Sequence, residues 1–247
     1  MLSPWYFTAF DLNPTLGVGV LVFPVFWKLG CCEMTVMPLV RLGSFPFQRR
    51  FFCKRVLDVL LIVAALPVLV LVFATIALAV RATSTGPAFF IQKRIGRNGV
   101  PFGMIKFRSM YIDAEQRRDE VLGSSDRAGL CFKSKDDPRI TQFGKILRRT
   151  SLDELPQLIN VMLGQMSLVG PRPALPQEVA EYPAAAMERL RVLPGITGAW
   201  QVAGRADLGF DEMVALDVSY VRNASFSMDL RILAQTFGAV ASGRGAY

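Results

Sequence analysis

Histidine is absent from all 247 residues of the chain. That excludes a histidine-based catalytic triad and the imidazole-containing zinc sites. Cysteine is scarce: Cys31, Cys32, Cys53 and Cys131 are the whole complement, with no C-x-x-C spacing among them. Such a set fits reduced thiols in a cytosolic setting, not a disulfide framework. Charge is scarce as well, at 19% of residues against 52% hydrophobic, which is apolar for a chain surrounded by water. Acids are the rarer sign, 20 against 28 Lys and Arg, and the net charge is +8. A cationic balance favours an anionic partner: phosphates, nucleic acid or an anionic membrane face. Nucleic acid fits poorly, because no basic helix with interleaved aromatics and no nucleic-acid fold signature occurs. Catalysis by such a chain falls to carboxylates, Lys or Arg, hydroxyls, thiols or a hard cation.

Three regions follow from composition. Residues 1–50 form an irregular extension, apolar over 15–27 but interrupted by Pro24 and two glycines. It has neither the basic start nor the small-residue cleavage site of a signal peptide, and Met34 or Met37 offers a later start. Residues 51–81 are membrane-inserted. Within them 59–80 carry no charge, and as a helix this run would measure roughly 33 Å, enough to span a bilayer. Arg41, Arg49, Arg50, Lys54 and Arg55 precede it; Arg81, Lys93, Arg94, Arg97, Lys106 and Arg108 follow, with no acid inside either group. Positive charge stays on the cytoplasmic side. An ordinary span that tolerates Pro67 puts one group outside, whereas a helix that breaks at Pro67 and returns keeps both inside. Both topologies are open to the sequence, and the charge pattern favours re-entry. Residues 82–247 form a small cytosolic domain with interfacial helices. The fold class is α/β, mostly helical.

Within that domain, apolar runs at 88–95 and 100–107 flank Gly96-Arg97-Asn98-Gly99, and Asn-Gly is a hairpin turn signal. Lys106 and Arg108 alternate with Ile105 and Phe107, which places them on the opposite face of the strand. Residues 111–122 read as a charged, solvated helix, and 123–137 as a polar loop. Arg139, Lys145, Arg148 and Arg149 then approach an acidic pair, Asp153-Glu154.

The pair opens a periodic segment. Leu155, Leu158, Ile159, Met162 and Leu163 follow the spacing of one buried helix face. Ser151 and Glu154 stand three apart, as in a capping box; alternatively Asp153 caps the helix and Pro156 falls in its first turn, where proline is tolerated. Either way Asp153 sits at the positive end of the dipole, which favours its ionised form. An ionised carboxylate in a cationic setting is a candidate nucleophile towards phosphorus or a ligand for Mg²⁺. Read alone, the pair is better explained as an ordinary helix start, since acids are common in a first turn. Gly170-Pro-Arg-Pro173, Pro194-Gly-Ile-Thr-Gly198 and Gln201-Val-Ala-Gly-Arg205 are tight turns, two of them presenting single arginines. Residues 210–221 form a helix whose apolar stripe is interrupted by Asp217, a carboxylate that requires a cationic or hydrogen-bonding partner. Leu230, Leu233, Ala234, Phe237 and Val240 mark a last amphipathic helix, read as core-facing.

These pieces in this order resemble the bacterial sugar transferases, the monotopic polyprenyl-phosphate phosphoglycosyl transferases. The resemblance rests on Lys54-Arg55-x-x-Asp58, Gln92-Lys-Arg94, Lys106-Phe-Arg-Ser-Met110, Ser151-Leu-Asp-Glu-Leu-Pro-Gln157, Ser167-Leu-Val-Gly-Pro-Arg-Pro173 and the two turns that follow. It implies transfer of a sugar 1-phosphate from a UDP-sugar to polyprenyl (undecaprenyl) phosphate with release of UMP, an early membrane step of exopolysaccharide synthesis. Asp153 would be the nucleophile and Mg²⁺ ligand, forming a covalent aspartyl-phosphosugar, and Glu154 would assist. Arg94, Lys106, Arg108, Arg148, Arg172 and Arg205 would bind substrate and phosphate groups. Partners would be the UDP-sugar, the polyprenyl phosphate and lipids of the bacterial inner membrane, with the catalytic domain on the cytosolic face. The family's usual Ser-Pro break is replaced here by Leu66-Pro67, about one helical turn closer to Lys54. The tail Arg244-Gly-Ala-Tyr247 resembles exopolysaccharide-type members, which points to glucose or galactose 1-phosphate and leaves an acetylated amino sugar open. The competing class is a non-enzymatic module that binds anionic membranes, for which the basic flanks alone would suffice. Such a module has no need of Asp153.

Overall fold

The computed structural model describes residues 46–114, 116–117, 137–204 and 208–242. The N-terminal extension, the far half of the charged segment, most of the polar loop, Arg205 and the C-terminal tail lie outside these residues.

The first described element, α1, runs from Pro46 to Thr83, 38 residues with Pro67 in its interior. At 1.5 Å per residue it is roughly 57 Å long. It is apolar on every side, as helices are that are enclosed by protein or by lipid. Here both apply. One stripe packs on the rest of the fold: Ile62 and Leu69 join Phe102, Met104, Val161 and Met166, while Val72, Phe73, Ile76, Ala77 and Val80 join Ala88, Phe107 and Leu147. The other side is bare, and Phe52, Leu60, Val63, Leu66, Val68, Leu71 and Leu78 are all exposed. Only 11% of its most apolar window is buried, and among the described residues it is the one helix long and apolar enough to cross a membrane.

Pro67 lies in a run of exposed residues, 63–68, between the packed side chains of Ile62 and Leu69. Proline cannot donate to the carbonyl four residues earlier, yet the helix continues across it as a single element. No interruption of the helix occurs at the proline; instead the chain stands clear of the domain there and meets it on either side.

The predicted hairpin is present. β1 (Phe89–Ile95) pairs antiparallel with β2 (Pro101–Phe107), Phe90 opposite Lys106 and Arg94 opposite Phe102. Asn98 and Gly99 take positive φ at the turn, the reason for that dipeptide. One end of the ribbon meets α1: Phe107 contacts Phe73 edge-on at 5.5 Å and stacks on Phe89 at 5.2 Å, while Ile91 and Lys93 on the same face are exposed. The other face carries Gln92, Arg94, Met104 and Lys106. The charged segment after it begins as turns at 112–114 and not as a helix.

Next come α2 (Gln142–Arg149), a 3₁₀ turn at Leu152–Glu154 and α3 (Gln157–Met162). Two very short strands, β3 (Ser167–Val169) and β4 (Gly195–Thr197), pair in parallel. Between them lie α4 (Pro176–Ala180) and a 3₁₀ stretch, Ala184–Arg191. The chain closes with α5 (Ala199–Ala203), α6 (Phe210–Asn223) and α7 (Phe226–Ser242). Val169, Val192, Tyr220, Val221 and Ile232 form the third core cluster. Of the residues read as core-facing in α7, Leu233 packs on this cluster and Val240 is half-buried, but Leu230, Ala234 and Phe237 are exposed, Phe237 at 79%; the buried residue is Ile232.

Polar clamps fix α1 to this body. Lys54 Nζ donates to Asp229 Oδ2 at 2.7 Å and to Tyr220 Oη at 3.2 Å. Arg55 caps α3, donating to the Val161 carbonyl and, at 2.8 Å, to that of Met162. Asp58 Oδ2 accepts from Ser167 Oγ at 2.7 Å.

Candidate active site

The acidic pair is presented by a turn and not by a long helix. Thr141 caps α2, its hydroxyl accepting from Gly144 N–H at 2.9 Å. Gly144 lies against the Ser109 carbonyl so closely that any Cβ would collide with it. Arg148 and Arg149 end α2 at the negative pole of its dipole. Ser151 then adopts left-handed φ of 56° and makes no side-chain cap bond. The expected capping box is therefore not formed. Asp153 does not cap α3 either: that position belongs to Pro156, and its ring leaves no N–H to satisfy. A non-glycine residue in this conformation costs on the order of 1 kcal/mol, and the sharp turn it makes sends Asp153 inward, where it is 8% exposed.

The cations converge from separate elements. Lys106, from the end of β2, donates to Glu154 Oε1 at 2.8 Å. Arg172 Nη1 lies 4.0 Å from the same oxygen. Arg94, from β1, is buried; it donates to Gln92 Oε1 at 2.7 Å and to the Pro173 carbonyl at 3.0 Å, and so steadies the arginine turn. Arg148 Nε donates to Ser109 Oγ at 3.0 Å, and its charge acts on Asp153.

Two parallel strands hold the Gly170–Pro173 turn in place. Gly170 N–H donates to Thr197 O at 2.8 Å, and Gly195 N–H to Pro171 O at 2.9 Å. A Cβ on Gly195 would strike Gly170 N, and one on Gly198 would strike Gly170 O. These glycines exist for backbone approach, and the two predicted turns are one unit. Ile95 N–H donates to Ala174 O at 2.9 Å, which ties the same turn to the hairpin. Lys106, Glu154, Arg172, Met104, Gln157 and Gln201 line an open cleft of about 200 Å³.

The two carboxylates differ. Burial would raise Glu154, but Lys106 and Arg172 outweigh it and hold the group well below the usual range, at about 2. Burial dominates at Asp153 and raises it to about 6, against Lys106 and Arg148 and with help from Glu154. Glu154 is thus the committed anion, salt-bridged to Lys106. Asp153 is the more basic carboxylate, and among the described residues no side chain donates a hydrogen bond to it. The dipole expected from a long helix is replaced by direct cationic charge.

Of the sequence-predicted residues, the fold brings together Asp153, Glu154, Arg94, Lys106, Arg148 and Arg172. It sends Arg108 elsewhere, to Ser84, because β2 ends at Phe107 and the chain turns there. Arg205 lies outside the described residues. Ser109, Gln157 and Gln201 also belong to the site. Each stands in a quoted motif, but nothing in residue type or period marks it as functional.

The profile of the family described as "Bacterial sugar transferase" matches residues 49–243. The chain is 49% identical over 162 residues to a galactosyl transferase, CpsE, of Streptococcus agalactiae, covering 65% of this chain and 36% of that protein. It is 41% identical over 198 residues to the exopolysaccharide production protein ExoY of Sinorhizobium fredii, covering 78% of this chain and 88% of that one. It is 38% identical over 210 residues to the UDP-glucose:undecaprenyl-phosphate glucose-1-phosphate transferase of Escherichia coli, covering 81% and 43%. It thus spans well under half of the streptococcal and E. coli proteins and most of the rhizobial one.

Proposed function

This chain belongs to the bacterial sugar transferase family, and we propose that it transfers a hexose 1-phosphate from a UDP-sugar to polyprenyl phosphate at the cytosolic face of the inner membrane. The observation that carries the reaction is the inequality of the two carboxylates: one buried and uncommitted, its neighbour locked to Lys106.

Asp153 attacks the phosphorus that bears the sugar. A carboxylate O–P bond forms, the diphosphate P–O bond breaks, and the electron pair leaves on UMP. The lipid phosphate oxygen then attacks the same phosphorus and expels Asp153 as carboxylate. No strong base is needed, because both nucleophiles are anions; the requirement is positioning and charge neutralisation. Lys106 and Arg172 supply fixed positive charge at the diphosphate as it is cleaved and UMP leaves, and Arg148 supplies it at Asp153. Glu154 keeps Lys106 oriented and charged. Mg²⁺ fits this donor set, since it takes one carboxylate together with substrate phosphates and water. Asp153 is the residue that would hold it, having oxygens free of side-chain donors. When bound it would add charge neutralisation at the diphosphate. The sugar assignment, galactose or glucose, is supported by the named activities of the streptococcal and E. coli relatives.

Membrane placement is supported by α1. Lys54 at one end and Val80 at the other both touch the same domain, so a straight crossing would carry that domain through the bilayer. An α1 that lies in the membrane with both basic flanks on the cytosolic side satisfies both contacts, as the charge of the flanks favours.

The test is the identity of the released nucleotide. Full-length protein in nanodiscs with Mg²⁺, undecaprenyl phosphate and a panel of UDP-sugars should release UMP, and Asp153→Asn should abolish it. Release of UDP would mean glycosyl transfer and would overturn the mechanism.

A further inference from the structure

Asn160 is 0% exposed and stands in α3 next to Val161, whose apolar cluster also holds Phe102 and Met104 of β2. A carboxamide in such company must find partners for its oxygen and for both N–H groups. It finds two of them on the edge of β2 that β1 leaves free. Oδ1 accepts from Ile105 N–H at 3.0 Å, and Nδ2 donates to Gly103 O at 2.8 Å. Nδ2 also donates to Gln165 Oε1 at 2.7 Å, which fixes the plane of the amide. The side chain thus meets β2 as a neighbouring strand would, through one backbone N–H and one backbone carbonyl.

The next residue of β2 is Lys106, and the bonds close a circuit. From Asn160 the chain runs back to Pro156 and Leu155, both in right-handed helical conformation, and on to the 3₁₀ turn that carries Glu154. The acids and α3 are therefore one stiff piece. Glu154 Oε1 accepts from Lys106 Nζ at 2.8 Å, which returns to β2. Apolar contacts alone would let the strand slide on the helix, because they are non-directional. Hydrogen bonds to two backbone points do not. The other cations of the site have supports of their own: Arg148 is held by Ser109, and the Arg172 turn by β3 and β4. Asn160 bears on Lys106 in particular.

We propose that Asn160 is a positioning residue: by locking the edge of β2 to α3, it sets where Lys106 stands against the acidic pair. Its importance to turnover rests on the reaction proposed above; the placement of Lys106 does not.

Two readings test this, one of them without turnover. The nanodisc-held full chain is acetylated briefly with an N-hydroxysuccinimide ester and read lysine by lysine by mass spectrometry. Lys106 and Lys54 are an internal comparison, since both are ion-paired and their side chains are 15% and 18% exposed. In Asn160→Ala, Lys106 should acetylate several-fold faster while Lys54 keeps its wild-type rate. UMP release gives the second reading. Asn160→Ala should lower it roughly tenfold or more, the scale of a misplaced charge, but by no more than about twofold in a Lys106→Met background, where there is no ammonium left to place. Asn160→Asp keeps the volume and the acceptor but turns a carboxylate oxygen on Gly103 O; it should behave like Asn160→Ala and carries the test where that variant does not fold. Lys106 as protected as in wild type, both lysines exposed together, or equal losses in the two backgrounds overturns the proposal. If wild type releases no UMP, the reaction falls, and acetylation still decides whether Asn160 holds Lys106.

Discussion

Replacing Asp217 by Asn should flatten the acid-side dependence of stability on pH. Asp217 is fully buried in α6, and Oδ2 accepts from Arg189 Nε at 2.9 Å and Nη2 at 2.7 Å. Oδ1 accepts nothing. Burial outweighs Arg189 and raises this carboxyl from 3.8 to about 6. The sign follows from which state holds the proton more tightly. Below pH 4 both folded and unfolded forms are protonated and the group is neutral to stability. Between pH 4 and 6 the unfolded form ionises first, so stability falls as pH rises, and above pH 6 the full penalty is in place. Two units at 1.4 kcal/mol each give roughly 3 kcal/mol. The assay is denaturant unfolding of the detergent-held full chain at pH 4.5, 5.5 and 7, wild type against Asp217→Asn. Other groups titrate in both proteins, so the difference between the two curves isolates this one. Wild type should lose about 2 kcal/mol more than the variant between pH 4.5 and pH 7, the remaining ~1 kcal/mol being lost below pH 4.5. Parallel pH profiles would refute the reasoning.

Lys106→Met removes the partner of a buried anion and should cut UMP release by at least a hundredfold while destabilising the fold by roughly 3 kcal/mol, checked by single-turnover kinetics and unfolding midpoints. Gly195→Ala drives a methyl into Gly170 N and displaces Arg172, so it should raise the KM for UDP-sugar more than tenfold, an effect absent from Gly99→Ala at the open hairpin turn. Lys54→Met leaves Asp229 buried without its cation and should lower stability by roughly 3 kcal/mol, read as a lower unfolding midpoint in detergent.

The hairpin was legible because Asn-Gly demands positive φ and the flanking runs alternate. The final two helices were legible from period alone. Asp217 announced that it needed a partner, but Arg189 could not be named, because no local rule connects residues 28 positions apart. The parallel pair β3–β4 was invisible for another reason: three residues carry no period, and the strands exist only because glycines let two turns touch. The acidic pair was found by its charge, yet its presentation was misread, since Ser151 favours a sharp turn over a cap once Pro156 has removed a donor. Phe237 was misread because helical period reports an apolar face and not what covers it. Lys106 and Arg108 share residue class and strand parity, and only the end of β2 at Phe107 separates their destinations.

The all-round apolarity of α1 bears on how this protein can be handled. Its outward side chains are each worth roughly 1.5–3 kcal/mol when covered, so water alone is a poor solvent for the native state. Cutting the helix away offers no escape. A chain begun after Thr83 would uncover Phe102, Met104, Val161, Phe107 and Leu147, the seats of Ile62, Ile76 and Val80, and would exchange a lipid-facing surface for an opened core. The amphiphile that coats α1 is in effect a structural component of the enzyme.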